Sequence, residues 1–116
     1  MRGLNTFSGI FVYRQFVDMR KSITGLSALV SEEMGGDFKQ PHLFVFTNRR
    51  RTLLKIIYFD DSGFALWMKR LEASKFPWPK KIESDSIEVK IEDMELLLQG
   101  INIWTRFEKL HFDRIV

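Results

Sequence analysis

Three apolar segments, joined by two short hydrophilic links, constrain the fold of this chain more than any other feature. The segments are HLFVF (42–46), LLKIIYF (53–59) and FALWMKRL (64–71), and the links are TNRRRT and DDSG. β-Branched and aromatic residues favour strands, and links this short join neighbouring strands as antiparallel hairpins. The sequence therefore predicts a β-meander that carries an arginine triplet at one of its hairpins.

The two links also predict a register for the three strands. If Phe59 pairs with Phe64, and Thr47 pairs with Leu53, side-chain alternation divides the apolar residues between the two faces of the sheet. The first face carries Leu43, Val45, Ile57, Phe59, Phe64, Leu66 and Met68, and the second carries Phe44, Phe46, Leu54, Ile56, Tyr58, Ala65 and Trp67. A slip of one residue would leave both faces apolar. Both faces must therefore be covered.

The remaining segments supply further elements. SGIFVYRQF (8–16) and SIEVKI (86–91) are typical of a short strand and a half-buried edge strand. Residues 18–36 are predicted to form a long helix that begins at Asp18 or Ser22 and ends at Gly35, and EDMELLLQG (92–100) a short one. FPWP (76–79) must be extended because prolines lack amide donors, and Trp78 is expected to pack as a lid.

These elements predict a single α+β domain over residues 1–116. The expected architecture is an antiparallel meander sheet with a long N-terminal helix and a short C-terminal helix. The chain has no cysteine and only two histidines, which excludes structural disulfides and disfavours zinc sites. No apolar stretch approaches the roughly 20 residues that span a bilayer. We therefore expect a cytoplasmic protein without cofactor, metal or membrane contact.

Catalytic patterns are weak in this sequence. The nearest approach to a carboxylate cluster is Asp60 and Asp61 with Glu72, and Asp18 is a further candidate. Such residues would suit a metal-dependent nuclease assisted by Lys55 or Lys69. However, Asp-Asp-Ser-Gly is typical of a tight turn, because aspartate accepts local amide hydrogen bonds. We therefore predict no catalytic or metal-binding residues and no enzymatic activity.

The distribution of charge is more informative than the net charge of +3. Residues 39–81 contain ten basic and three acidic side chains, whereas the following segment is acidic. The predicted register places Lys69 beside Leu54, so that Lys69 and Arg70 lie at the end of the sheet that carries the arginine loop. Guanidinium groups suit bidentate contacts with phosphate. The predicted nucleic-acid-binding residues are Arg49, Arg50, Arg51, Lys69, Arg70, Lys75, Lys80 and Lys81.

Other interpretations of these residues remain open. The arginines could protect an edge strand, increase solubility or contact a protein. The nearby aromatic residues Tyr58, Trp67 and Trp78 could stack on bases, but aromatic residues in such strands more often belong to the core.

Several motifs in this chain resemble one protein family. They are DMRKSITGLSALV, HLFVFTNRRRTLLKIIYFDDSGFALWMKRLEASKFPWP and IEDMELLLQGINIW. In order and spacing, about residues 9–104 resemble the TnpB-like accessory protein of insertion sequences of the sixty-six type. Residues that coincide with the family pattern include Asp18, Arg20, Lys21, Lys55, Asp60 and Trp78. The chain departs from the pattern at Arg51, Thr52, Asp61 and Ser74; the family usually has glycine at positions 51, 61 and 74, and aspartate at 52.

The resemblance implies a small protein that is encoded beside a separate transposase and is needed for efficient transposition. We expect a non-enzymatic accessory factor that binds DNA phosphates, or the transposase–DNA complex, through the basic hairpin. The alternative is a protein–protein adaptor that uses the second apolar face of the sheet. Such an adaptor would bind the transposase or form a homo-oligomer without touching DNA.

Overall fold

A computed structural model of the protein describes residues 1–80 and 84–107. Its helices and strands, in chain order, are β1 (Gly9–Tyr13), α1 (Ile23–Glu33), β2 (His42–Thr47), β3 (Leu53–Asp60), β4 (Gly63–Arg70), β5 (Ser86–Val89) and α2 (Ile91–Leu98). A single 3-10 turn precedes β1, and residues 104–107 are helical.

The strands form one sheet in the order β4-β3-β2-β1-β5. β1 runs parallel to β2, and every other neighbouring pair in this sheet is antiparallel. The prediction of an antiparallel meander is therefore wrong for the sheet as a whole. Between β1 and β2 the chain passes through α1, and such a helical crossover brings the second strand back in the direction of the first. β5 then pairs with the opposite side of β1 and forms the edge predicted for it.

The predicted long N-terminal helix is also wrong. α1 begins at Ile23, although the pattern suggested a start as early as Asp18. One carboxylate oxygen of Asp18 accepts a hydrogen bond from the backbone N–H of Arg20 at 2.9 Å. The backbone carbonyl oxygen of Asp18 accepts another from the N–H of Lys21 at 3.0 Å. These local bonds stabilise a turn in competition with the helix. After Glu33 the chain leaves the helix through Met34 and Gly35, whose φ is 62°.

The hairpin registers were predicted in part. Phe59 pairs with Phe64 and Leu54 with Lys69, as expected. Thr47, however, pairs with Leu54 instead of Leu53. The loop therefore holds one more residue than predicted, and the hydroxyl of Thr47 donates to the carbonyl oxygen of Leu53 at 2.9 Å. Each β2 side chain therefore lies on the face of the sheet opposite to the predicted one, when the faces are defined by β3. Phe44, for example, shares a face with Ile57.

Both faces of the sheet are covered by the chain itself. α1 covers one face, where Leu26 and Val30 pack against Phe44, Phe46 and Ile57. On the other face, the main buried residues are Leu43, Val45, Leu54, Ile56, Phe76, Trp78, Met94, Leu97 and Trp104. No helix within residues 1–80 and 84–107 combines the length and hydropathy that a bilayer span requires.

Trp78 packs as the lid that the sequence predicted. Its side chain is 4% exposed, and its indole N–H lies 3.1 Å from the carbonyl oxygen of Tyr13 and 3.0 Å from that of Arg14. The FPWP segment therefore joins the end of β1 to the face of the sheet that α2 also covers.

Candidate nucleic-acid interface

The loop between β2 and β3 presents the arginine triplet in a defined conformation. The side-chain oxygen of Asn48 accepts a hydrogen bond from the backbone N–H of Thr52 at 3.1 Å, and its carbonyl oxygen accepts one from Arg51 at 2.9 Å. These two bonds close the loop on itself. Arg49 and Arg50 are exposed at its tip, whereas Arg51 is half-buried.

Arg51 adopts a left-handed backbone conformation, with φ of 59°. L-residues other than glycine occupy this region at a cost of about 1 to 2 kcal/mol. Asp61, in the turn between β3 and β4, has φ of 53°. The resemblance described above places glycine at both positions. The two substitutions in this chain therefore fall where the backbone favours glycine.

A second loop, between β1 and α1, lies against the arginine loop. The backbone N–H of Val17 donates to the carbonyl oxygen of Thr47 at 3.0 Å, immediately before the arginine loop begins. Residues 18–21 then form the turn that replaces the first part of the predicted helix. Arg20 and Lys21 are exposed on this turn.

Lys55 fixes the second loop to the sheet. Its side chain is only 6% exposed, and its ammonium group lies 2.7 Å from each of the carbonyl oxygens of Met19 and Lys21. Hydrogen bonds from a charged donor are stronger than neutral ones. The buried lysine therefore holds the Asp18–Lys21 turn in one position relative to the arginine loop.

The two loops enclose an open cleft of about 410 Å³. Its lining residues are Phe16, Val17, Asp18, Met19, Asn48, Arg49 and Arg50. Phe16 is 43% exposed although it is a large apolar residue. The cleft thus combines an exposed aromatic ring with two guanidinium groups on its rim.

Asp18 and Arg20 form an ion pair at the edge of this cleft. The Nε atom of Arg20 lies 2.9 Å from the nearer carboxylate oxygen of Asp18. The side-chain hydrogen bond from Arg20, followed by the bond from its backbone N–H, lowers the pKa of Asp18 from 3.8 to about 2. The same pairing raises the pKa of Arg20. Asp18 is therefore ionised at neutral pH and offsets part of the positive charge of the turn.

The other predicted basic residues are distributed over different surfaces. Lys69 lies on the face covered by α2, and its ammonium group donates to the carbonyl oxygen of Leu98 at 2.8 Å. It therefore binds the C-terminal end of α2, where a cation is favourable. Arg70 lies on the opposite face, which Lys55 shares, and pairs with Glu72 at 3.0 Å. Lys69 is thus engaged by α2, whereas Arg70 lies opposite Leu53, at the end of β3 that follows the arginine loop.

The segment between β4 and β5 carries the last three predicted residues. Lys75 and Lys80 are exposed on it, and Lys81 lies outside the residues that the structure describes. Neither Lys75 nor Lys80 lines the cleft.

The residues singled out by the family pattern also separate into two groups. Asp18, Arg20, Lys21 and Lys55 converge beside the arginine loop, as described above. Asp60 lies at the opposite end of β3, where it pairs with Arg2 at 3.2 Å, and Trp78 is part of the core.

Phe16 is the residue that sequence reasoning missed. The aromatic residues considered there were Tyr58, Trp67 and Trp78, of which Tyr58 and Trp78 are buried and Trp67 packs against the core. The position of Phe16 could have indicated its exposure. It lies beyond the end of β1, in the segment Arg-Gln-Phe-Val-Asp, which contains three polar residues.

The structure also separates the carboxylates of the nuclease hypothesis. Asp60 and Asp61 lie at the turn before β4, whereas Glu72 follows the end of β4. Eight strand residues extend about 26 Å. These three residues therefore cannot share a metal ion, and the described part of the chain contains no group of three or more potential metal ligands.

Comparison with known proteins assigns the chain to a family. The model of the family described as IS66 Orf2 like protein matches residues 8–108. The chain belongs to this family. The match confirms the resemblance seen in the motifs, and it is consistent with an accessory role in IS66 transposition.

Two relatives come from Sinorhizobium fredii. The uncharacterized protein y4jC is 36% identical over 100 residues, which cover 86% of this chain and 84% of y4jC. The uncharacterized protein y4hO is 32% identical over 93 residues, which cover 80% of each chain. No solved structure matches this protein.

Proposed function

We propose that this IS66 Orf2-like protein acts in transposition by binding DNA at the cleft between its arginine loop and the Asp18–Lys21 turn. One observation carries the proposal: the structure brings Arg49 and Arg50 together with Phe16 around a single open cleft. No catalytic step is part of the proposed function.

Arg49 and Arg50 have the properties expected of phosphate ligands. Both are exposed, and neither forms a side-chain hydrogen bond or ion pair with another described residue. An exposed guanidinium group can therefore bind a phosphate without first breaking an internal contact. Two such groups at a hairpin tip can neutralise adjacent backbone phosphates and release their counterions.

The turn opposite the arginine loop adds to this surface. Arg20 and Lys21 provide two more exposed cations, one of them partly offset by Asp18. The ring of Phe16 offers a stacking platform between the two basic loops. Basic side chains that alternate with exposed aromatic rings are typical of surfaces that bind unpaired nucleotides.

A binding titration with matched variants tests the proposal. Fluorescence anisotropy of a labelled duplex is measured for the wild type, for Arg49→Ala/Arg50→Ala and for Lys39→Ala/Lys90→Ala. The two double variants lose the same net charge, and the control pair lies outside the cleft. We expect a loss of affinity of at least about tenfold for the arginine pair and a much smaller loss for the control pair. Equal losses would contradict a specific site.

The adaptor hypothesis is favoured by a different observation, namely the exposed side chains Phe59, Phe64 and Met68. Capture of the transposase by nuclease-treated protein separates the two functions. An adaptor captures the transposase equally well with and without Arg49 and Arg50, and it shows no affinity for DNA alone.

A further inference from the structure

Among residues 1–80 and 84–107, nothing gives the long outer edge of β4 the usual protection of an edge strand. β4 lies at one end of the sheet, and all eight of its residues pair with β3 in a continuous register. Natural edge strands are commonly shortened, bulged, or interrupted by proline or inward-pointing charges. β4 contains no proline, and its charges, Lys69 and Arg70, stand only at its last two positions.

The register shows which backbone groups face outward. The N–H of Leu71 donates to the carbonyl oxygen of Thr52 at 2.9 Å, so this pair is hydrogen-bonded. In an antiparallel ladder every second pair is of this kind. The β4 residues Ala65, Trp67 and Lys69 therefore bond to β3. The backbone groups of the alternate residues point away from the sheet; these residues are Phe64, Leu66, Met68 and Arg70.

The side chains of the same residues form an apolar surface. Phe64 is 38% and Met68 54% exposed, and Phe59 on the neighbouring strand is 37% exposed. The rings of Phe59 and Phe64 contact each other edge to face, with centroids 5.2 Å apart. The unpaired backbone groups and the exposed apolar side chains thus coincide on one strand.

The other edge of the sheet, formed by β5, is both shorter and more polar than the β4 edge. β5 has only four residues, Ser86–Val89, and its outward side chain Glu88 is exposed and charged. Lys90 follows it and is also exposed. The short, charged edge resists pairing with another strand, whereas the long, apolar edge favours it.

The two ends of β4 carry opposite charge, which identifies the partner. Asp61 lies at the turn before the strand and Arg70 at its last position, whereas Asp60 is already paired with Arg2 and Lys69 is bound to the carbonyl oxygen of Leu98. A twofold axis perpendicular to the strand brings the acidic end of one copy to the basic end of the other. A surface that complements itself in this way suits an isologous dimer.

We propose that β4 pairs antiparallel with β4 of a second copy of this chain, about a twofold axis through Leu66. Phe64 then lies opposite the partner's Met68 on the same face. Arg70 lies opposite the partner's Ser62, beside the partner's Asp61. The ion pair between Arg70 and Glu72 is exposed on both sides, and such pairs contribute little, so Arg70 is available for the partner.

Two variants of Met68 test the proposal. Met68→Pro removes an outward N–H that β3 does not use, and proline is tolerated at such edge positions. Met68→Lys adds a charge without changing the backbone. Leu96→Lys is the control, because Leu96 is 39% exposed on α2 and lines a separate groove with Asn102 and Arg106. Molar mass is measured by light scattering and sedimentation across a dilution series, and folding is checked by circular dichroism.

The expected result is a dimer for the wild type and for Leu96→Lys, and a folded monomer for both variants of Met68. Amide exchange supplies a second readout. Dimerisation should slow exchange at Phe64, Leu66 and Met68, while Ala65 and Trp67 stay protected in monomer and dimer alike. If Met68→Pro fails to fold, the molar mass of Met68→Lys alone tests whether β4 forms the dimer interface.

Three results would overturn the proposal: a wild-type monomer at the highest concentration, a dimer that persists in Met68→Lys, or a dimer that Leu96→Lys dissociates. A wild-type monomer whose β4 amides become protected only when transposase is added would assign the edge to the transposase. The proposal is independent of DNA binding, since the arginine cleft does not include β4.

Discussion

The ammonium group of Lys55 lies 2.7 Å from the carbonyl oxygen of Met19 and links β3 to the loop that carries Arg20. A second bond of the same length reaches the carbonyl oxygen of Lys21. The two loops of the proposed DNA site therefore have a common attachment. The arginine loop continues directly into β3, and the Asp18–Lys21 turn is bound to β3 through Lys55.

Replacement of Lys55 should destabilise the protein because it leaves two carbonyl oxygens without their donor. We expect Lys55→Met to lower the free energy of unfolding by about 2 to 4 kcal/mol. Urea denaturation measures the change. Lys75→Met is the control, since Lys75 is exposed, and its effect should stay within about 0.5 kcal/mol. A similar small effect for Lys55→Met would show that the two hydrogen bonds do not hold the turn.

Glycine at either of two positive-φ positions should stabilise the fold. Arg51→Gly and Asp61→Gly relieve the left-handed conformation, and each should raise the free energy of unfolding by up to about 1 kcal/mol. Arg50→Gly and Ser62→Gly are the controls in the same loops, and φ is not positive at either position. Stabilisation by the controls, or destabilisation by the two test variants, would contradict strain at Arg51 and Asp61.

The pKa of Asp18 reports the ion pair at the cleft. The folded-state pKa of Asp18, about 2, lies below its ordinary value of 3.8. The ion pair therefore stabilises the fold fully when the pH is above 3.8. This stability is lost as the pH falls from 3.8 to about 2. Arg20→Ala should raise the pKa of Asp18 toward 3.8, as measured by NMR titration of its carboxyl carbon. Lys21→Ala should shift this pKa far less, since Lys21 is the weakest of the contributing causes. An unchanged pKa in Arg20→Ala would show that the ion pair is absent in solution.

Phe16 should distinguish single-stranded from duplex DNA. Stacking of an aromatic side chain on an unpaired base contributes about 1 to 3 kcal/mol. Phe16→Ala should therefore weaken binding to a single strand by about 5- to 150-fold and leave duplex affinity nearly unchanged. Phe59→Ala is the matched control, because Phe59 is similarly exposed but lies outside the cleft. Equal effects of the two substitutions on single-strand binding would exclude stacking on Phe16.

The sequence predicted the local elements more successfully than their arrangement. The hairpin at Asp60 was predicted in its correct register because its link is short and Asp-Asp-Ser-Gly is typical of a tight turn. The register at the arginine loop was not, because composition does not reveal the hydrogen bond that Asn48 accepts from Thr52 or the one that Thr47 donates to Leu53. The parallel pair could have been inferred, since the order strand, helix, strand over residues 9–47 implies a crossover.

The site was predicted in part for a similar reason. The arginine triplet is visible as a charge run, and its location at a hairpin follows from the flanking strands. The Asp18–Lys21 turn was assigned to a helix, so its position beside that loop could not be foreseen. Lys69 was grouped with the arginines from strand register alone, which gives the position along the sheet but not the contact with Leu98.

The salt dependence of DNA binding tests the central claim most directly. Each phosphate contact that is lost reduces the slope of log K against log salt by about 0.9 for duplex DNA. We predict that Arg49→Ala/Arg50→Ala reduces the slope by about 2, whereas Lys39→Ala/Lys90→Ala leaves it nearly unchanged. A wild-type affinity that is insensitive to salt, or a slope that the arginine pair does not change, would contradict phosphate binding at this cleft.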